Sequence, residues 1–345
     1  MTLWTDVITP AALTGYARQA LADRARAKGS HPAYLPNRTV DDIVARFVAG
    51  ANGLLDAAEY RSYDAEVSIG EPEDAKRITL ELPPLGRKFR VSEYEQLRLR
   101  GNVDPDTMLG HVTRYAARAA YAVSDRLEIA RGKVLDTGVA AINENGFVAS
   151  ADFGRRADFT TTAATLWSAA GAKPLSDLRT WRDAFVDENG EAPGSILTSQ
   201  KVLNALMASA EFKGLATNSA TAPSVVTQEY VNSVLVSYGL PTITVYDRRA
   251  RVAGTAVRVL PDDKLYLLPA AVDAYNAEGT DLGGTWWGTT LEASEPDYGI
   301  AGPDRPGIVV GTFKTHDPIG VWVHSAAIGL PVLANANLSF AAKVL

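Results

Sequence analysis

DPDTMLGHVTRYAARAAYAVSDRLEIARGKVLD, residues 104–136, carries the strongest helix signal in the chain. Asp104 can cap and Pro105 suits the first helical position. Met108, Val112, Tyr115, Ala119, Ala122, Val123, Leu127, Ala130 and Val134 recur at three-or-four spacing. About 30 residues at 1.5 Å each give a rod of roughly 45 Å. Such a rod is long for a compact catalytic domain and natural for a structural spine.

Outward from the rod, the flanks change character. Upstream, ALTGYARQALADRARAKGS has helical character and carries Arg18, Arg24, Arg26 and Lys28. These cations form either a solvated helix face or a basic arm for an acidic partner. HPAYLPNRTVDDIVARFVAG mixes a Pro-rich extended piece with a short helix starting near Thr39, whose first turn would hold Asp41 and Asp42. YDAEVSIGEPEDAKRITLELPP, residues 63–84, alternates in AEVSI and RITLEL around turn chemistry in GEPEDAK. It predicts a long β-hairpin, and a two-stranded ribbon is marginal alone in water. The following LGRKFRVSEYEQLRLRGN is strongly basic, with Arg87, Lys88, Arg90, Arg98 and Arg100. Its cations are either solvated or paired with an acidic neighbour.

Downstream, DTGVAAINENGFVASADFGR predicts a hairpin turning at NENG. PLSDLRTWRDAFVDENG predicts a helix stopped by Asn189-Gly190, and GSILTSQKVLNALMAS a strand followed by a helix. TITVYD, TAVRVLP and KLYLLP are strand candidates, and β-like stretches run from Pro306 to the last residue. The mixture points to an α+β fold with a central sheet.

Chemistry is sparse. The 345 residues include no cysteine, so thiolate nucleophiles, disulfides and Cys-based zinc sites are excluded. The net charge of −6, from 34 basic and 40 acidic residues, argues against a protein built mainly to grip phosphates. No apolar run reaches the roughly 18 residues of a membrane helix, and the first residues lack a secretory-signal pattern. The four histidines are His31, His111, His316 and His324. His316 and His324, with Asp317, make a conceivable metal site that Pro318 and Gly320 interrupt. No phosphate loop, dinucleotide fingerprint or nucleophile elbow occurs. Asp262-Asp263 reads as a turn between strands. No cofactor is expected. TDLGGTWWGTTLEA places Trp286 beside Trp287. Strand alternation would send one into the core and the other to a subunit contact, with both in the core as the close alternative.

The order of LPPLGRKFRVSE, LDTGVAAINENGFVASADFG, LWSAAGAKPLSDLRTW, SYGLPTITVYD, LPDDKLYLLP, LGGTWWGTTLEA and DPIGVWVHSAAIGLPVLANANLSFAAKVL resembles the lambda-type major capsid protein E family of tailed bacteriophages. That resemblance implies the Hong Kong 97-type fold. Residues 1–60 would be an N-terminal arm and 61–101 an extended loop reaching a neighbouring subunit. Residues 102–158, with the spine helix and a sheet completed by 306–345, would form a peripheral domain, and 159–305 an axial domain. It implies a capsid protein that self-assembles into pentamers and hexamers of an icosahedral shell, located in the virion and, during assembly, in the host cytoplasm. Expected partners are further copies, a separate scaffold protein, a decoration protein, a portal and non-specifically contacted DNA, with no membrane. Candidate inter-subunit contacts are Val67, Ile69, Glu71, Asp74, Lys76, Arg87, Lys88, Arg90, Trp286 and Trp287. An encapsulin-like compartment and a carbohydrate-active hydrolase are the alternatives.

Overall fold

The computed structural model describes residues 8–40, 42–49, 76–91, 93–94, 105–216, 224–276, 278–317 and 319–345. Helix α1, Pro10–Lys28, begins at an N-cap Thr9 whose hydroxyl accepts from the Ala12 N–H, with proline in the first turn and Arg26 and Lys28 in the last. Helix α2, Pro105–Thr137, is the expected rod: 33 residues, or about 50 Å. α1 lies along α2 and buries Leu13 and Ala17. Small residues at Ala116, Ala119 and Ala120 let elements approach α2 closely, and all three are buried.

Two sheets flank the rod. In the first, strand β15 (Ile319–Leu333) is the common member. Over its first half it lies between β14 (Val309–His316) and β4 (Pro84–Val91), antiparallel to both. Further along it pairs with β13 (Gly283–Gly288), and β13 pairs in parallel with β1 (Asn37–Thr39). The second sheet has the order β7 (Thr160–Thr162), β16 (Phe340–Lys343), β12 (Lys264–Leu268), β8 (Ser195–Thr198), β9 (Ile243–Val245). Helices α3 (Pro174–Asn189), α4 (Gln200–Ala208), α5 (Ala210–Leu215) and α6 (Gln228–Ser237) belong to this half. β8 is buried throughout and β12 nearly so, which fits their apolar runs. α3 ends where expected, on Gly190 in the left-handed region at φ 74°.

Three ribbons stand outside the two sheets. β5 (Val139–Glu144) and β6 (Phe147–Asp152) turn through Asn145 and Gly146, both at positive φ, as NENG requires. β10 (Arg249–Val252) and β11 (Thr255–Arg258) turn through Ala253 and Gly254. The third is β2 (Val44–Ala49) with β3 (Lys76–Glu81).

Several sequence expectations are corrected. The helix expected after Thr39 is absent among the described residues: 44–49 is a strand. Six residues are too few to separate helical from strand periodicity, and burial of Ala45 and Phe47 on one face selects the strand. RITLE therefore pairs with VARFVA, while AEVSI lies outside the described residues. The 139–152 hairpin forms a ribbon of its own and does not complete the spine's sheet. The sheets also cut across the expected divisions at 158/159 and 305/306: β13 joins the β15 sheet, whereas the final strand β16 joins β12 in the other. The arm's cations are partly internal. Arg18 donates to the carbonyls of Asp304, Pro306 and Ile308, and Arg24 pairs with Asp125 at 2.8 Å. No described helix is long and apolar enough to cross a membrane.

Candidate assembly surfaces

The β2–β3 ribbon has two unlike faces. Alternation places Ala45, Phe47, Ile78 and Leu80 inward and buried, and Arg46, Thr79 and Glu81 outward. Phe47 anchors the ribbon, its ring 6.0 Å from Phe153 and 6.2 Å from Trp286. Lys76 opens β3 opposite Ala49. Val67, Ile69, Glu71 and Asp74 lie outside the described residues.

The basic segment after the ribbon is strand β4, and its pleat divides the cations. Arg87 lies on the α2 side, 5.9 Å over the Phe89 ring, which in turn meets Tyr115 of α2 at 6.1 Å. Lys88 and Arg90 lie on the opposite, outer face. Their register partners on β15 are His324 and Trp322. Lys88 Nζ stands 4.7 Å and the Arg90 guanidinium 5.8 Å from the Trp322 ring, within cation–π range. Trp322 stacks on Phe313 of β14 with centroids 6.3 Å apart. Burial pushes the His324 imidazole below its ordinary value; Glu292, 3.9 Å away, opposes the drop and Lys88 adds to it.

The two tryptophans sit on opposite faces of β13, as alternation requires. Trp287 is buried against the α1–α2 side, and its Nε1–H donates to Asn37 Oδ1 at 2.9 Å. Trp286 is half-buried beneath Phe47. Each therefore packs in a different apolar cluster, and Trp286 supports the ribbon's base.

Sequence reasoning missed a buried charged hub. Glu128 of α2 is 1% exposed, Arg131 and Arg248 4% each, and His31 fully buried. Glu128 accepts from the His31 backbone N–H and the Tyr246 hydroxyl, both at 2.7 Å, and from Arg131 at 3.0 Å. His31 Nδ1 lies 2.9 Å from the same carboxylate but is not aligned for a hydrogen bond. Arg131 reaches on to Thr285 Oγ1, and Arg248 to Asp125 and the Gly29 carbonyl. Burial alone would push the Glu128 carboxyl up; His31, Arg131 and Arg248 more than reverse this and hold it far below its ordinary value. Burial and Glu128 together push the Tyr246 phenol well above its usual range. The only sequence signal was a Glu-x-x-Arg pair on an otherwise apolar helix stripe.

Nothing in this geometry resembles a reaction centre. A cleft of about 370 Å³ runs between residues 29–34 and 194–197 with 242–246. It is lined by Tyr34, Ser195, Thr242 and Thr244 and by no carboxylate. A glycosidase needs two carboxylates across its substrate. Asp262 and Asp263 are instead paired with Lys201, Arg258 and Lys343. Among the described residues no group of three or more His, Asp or Glu is placed to hold a metal ion.

The family described as phage major capsid protein E matches residues 46–344. No curated protein matches the chain by sequence. Two crystal structures share its fold. The putative capsid protein of a prophage of E. coli CFT073 superposes with a TM-score of 0.64 at 16% identity, covering 98% of this chain and 99% of that one. A phage-related protein from Bordetella bronchiseptica RB50 gives 0.55 at 13% identity, with 97% of each chain covered.

Proposed function

The chain belongs to the phage major capsid protein E family, and on that premise we propose that its copies join edge to edge into the pentamers and hexamers of an icosahedral head. It is a structural protein that forms a phage capsid shell, not an enzyme, and its fold is the Hong Kong 97 type. The observation that carries this is the family match over 46–344, which takes in the ribbon, the rod and both sheets.

The finer roles are ours. The segment around α2, with β14 and β15, acts as the peripheral domain, and most of 159–305 as the axial domain around the ring centres. The β2–β3 ribbon and residues 50–75 beyond it form the loop that lies on a neighbouring copy, so the loop starts near Val44. Each contact is modest, but every subunit makes several, and a closed shell gains avidity and leaves no open edge. A separate scaffold protein sets curvature in the host cytoplasm; a portal and a decoration protein complete the head. DNA inside is touched without sequence preference.

The test is electron microscopy of the purified chain expressed with and without the phage's scaffold protein. Closed particles support the reading, and a protein that stays monomeric under both conditions overturns it.

A further inference from the structure

The outer face of the β4–β15–β14 sheet holds two exposed cations over an aromatic floor. Lys88 and Arg90 have no carboxylate within ion-pair distance among the described residues, and Phe313 below them is 39% exposed. Arg87, on the other side of the strand, does not belong to this face. The sequence supplies the complement. Residues 50–75 contain seven acidic side chains and one basic one, Arg61. That net of −6 equals the net charge of all 345 residues. The acids are densest at Glu71, Glu73 and Asp74.

Connectivity places this acidic segment away from the cations of its own chain. It joins Ala49 to Lys76, which are register partners at one end of the ribbon. The other end, Val44 with Glu81, leads through only Leu82 and Pro83 into β4. The acidic segment thus enters at the end of the ribbon remote from Lys88 and Arg90. Its 26 residues span up to about 40 Å as a doubled strand, enough to reach another molecule. Nucleic acid is the poorer fit. Two cations are few against the six to ten phosphate contacts of a typical binder. Phe313 and Trp322 also stack on each other rather than offering a free ring for a base.

We infer that Lys88 and Arg90, above Trp322 and Phe313, are the seat for the acidic 50–75 segment of a second copy of this chain. The inference rests on the shell-forming reading and adds the partner surface to it. Opposite charges steer the segment to the seat and reject a second basic surface. Partial cover by the rings reduces screening by salt.

Charge exchange tests it. Lys88→Glu with Arg90→Glu, and separately Glu71→Lys, Glu73→Lys and Asp74→Lys, are each expected to lower particle yield about tenfold or more. Combined in one chain, they are expected to restore it, which a misfolded variant would not do. Because the chain has no cysteine, Phe313→Cys paired in turn with Ser68→Cys, Gly70→Cys or Pro72→Cys reports proximity with all charges intact. The expected result is a ladder of cross-linked chains after oxidation of the particles. A fast-migrating cross-linked monomer, or no disulfide in any of the three, overturns the seat. So does normal assembly of the Lys88→Glu, Arg90→Glu chain; if that particle forms but fails to retain DNA, the face contacts nucleic acid. Failure of the unaltered chain to form particles would count against the shell reading instead.

Discussion

The Glu128 carboxylate, midway along the rod, accepts a 2.7 Å hydrogen bond from the backbone N–H of His31 at the end of the arm. The same carboxylate binds Tyr246 and Arg131, so one side chain ties the arm, the rod and the segment after β9 together. Buried ion clusters add little net stability over apolar packing, but breaking one from within is severe. Glu128→Ala would leave Arg131 and Arg248 buried without their shared counter-charge. It is expected to lower stability by about 3–5 kcal/mol, read as a shift in the denaturant midpoint.

The hub also gives a pH signature. The Glu128 carboxyl sits far below its ordinary 4.5 in the folded chain. Its contribution is therefore complete above the unfolded value and is lost as pH falls below it towards the folded one. The gap in melting temperature between the unaltered chain and Glu128→Gln is expected to be widest near neutrality. It should narrow from about pH 5 to about pH 3. A constant gap would mean the carboxylate is not preferentially ionised in the folded state.

Two glycines on α2 should respond with opposite sign. A methyl group at Gly132 would lie 2.3 Å from the Val259 carbonyl oxygen, while one at Gly110 meets nothing within 4 Å. Gly132→Ala is expected to destabilise by about 1–3 kcal/mol. Gly110→Ala should stabilise by about 0.5–1 kcal/mol through helix propensity. Thermal melts of the two variants decide this.

The tryptophans should differ too. Trp287→Ala empties a buried site and is expected to cost about 3–5 kcal/mol, whereas Trp287→Phe loses chiefly the bond to Asn37, about 1 kcal/mol. Trp286→Ala should cost less than Trp287→Ala and loosen mainly the ribbon, because Phe47 loses its support. Hydrogen exchange at 44–49 and 76–81 reads that local effect.

Local signals were legible before the structure. The rod begins at Pro105 and ends at Thr137, one residue beyond the quoted stretch, because proline and apolar periodicity are local facts. The NENG turn and the Gly190 stop were equally plain. What eluded sequence reading was non-local. Val44–Ala49 is a strand because Lys76–Glu81 pairs with it across 26 intervening residues. The cations Arg87, Lys88 and Arg90 looked like one patch until the pleat of β4 sent Arg87 to one face and its neighbours to the other. The hub brings His31, Glu128 and Arg248 together from positions some hundred residues apart, and nothing in the spacing of those residues announces it.

The most direct measurement compares two proteins by electron microscopy after co-expression with scaffold: the unaltered chain and one lacking Val67–Lys76. Closed shells from the first, and a soluble, folded but unassembled second, are the expected pair. Normal shells from the shortened chain would contradict the ribbon's role, and an unaltered chain that never leaves the monomer would contradict shell formation itself.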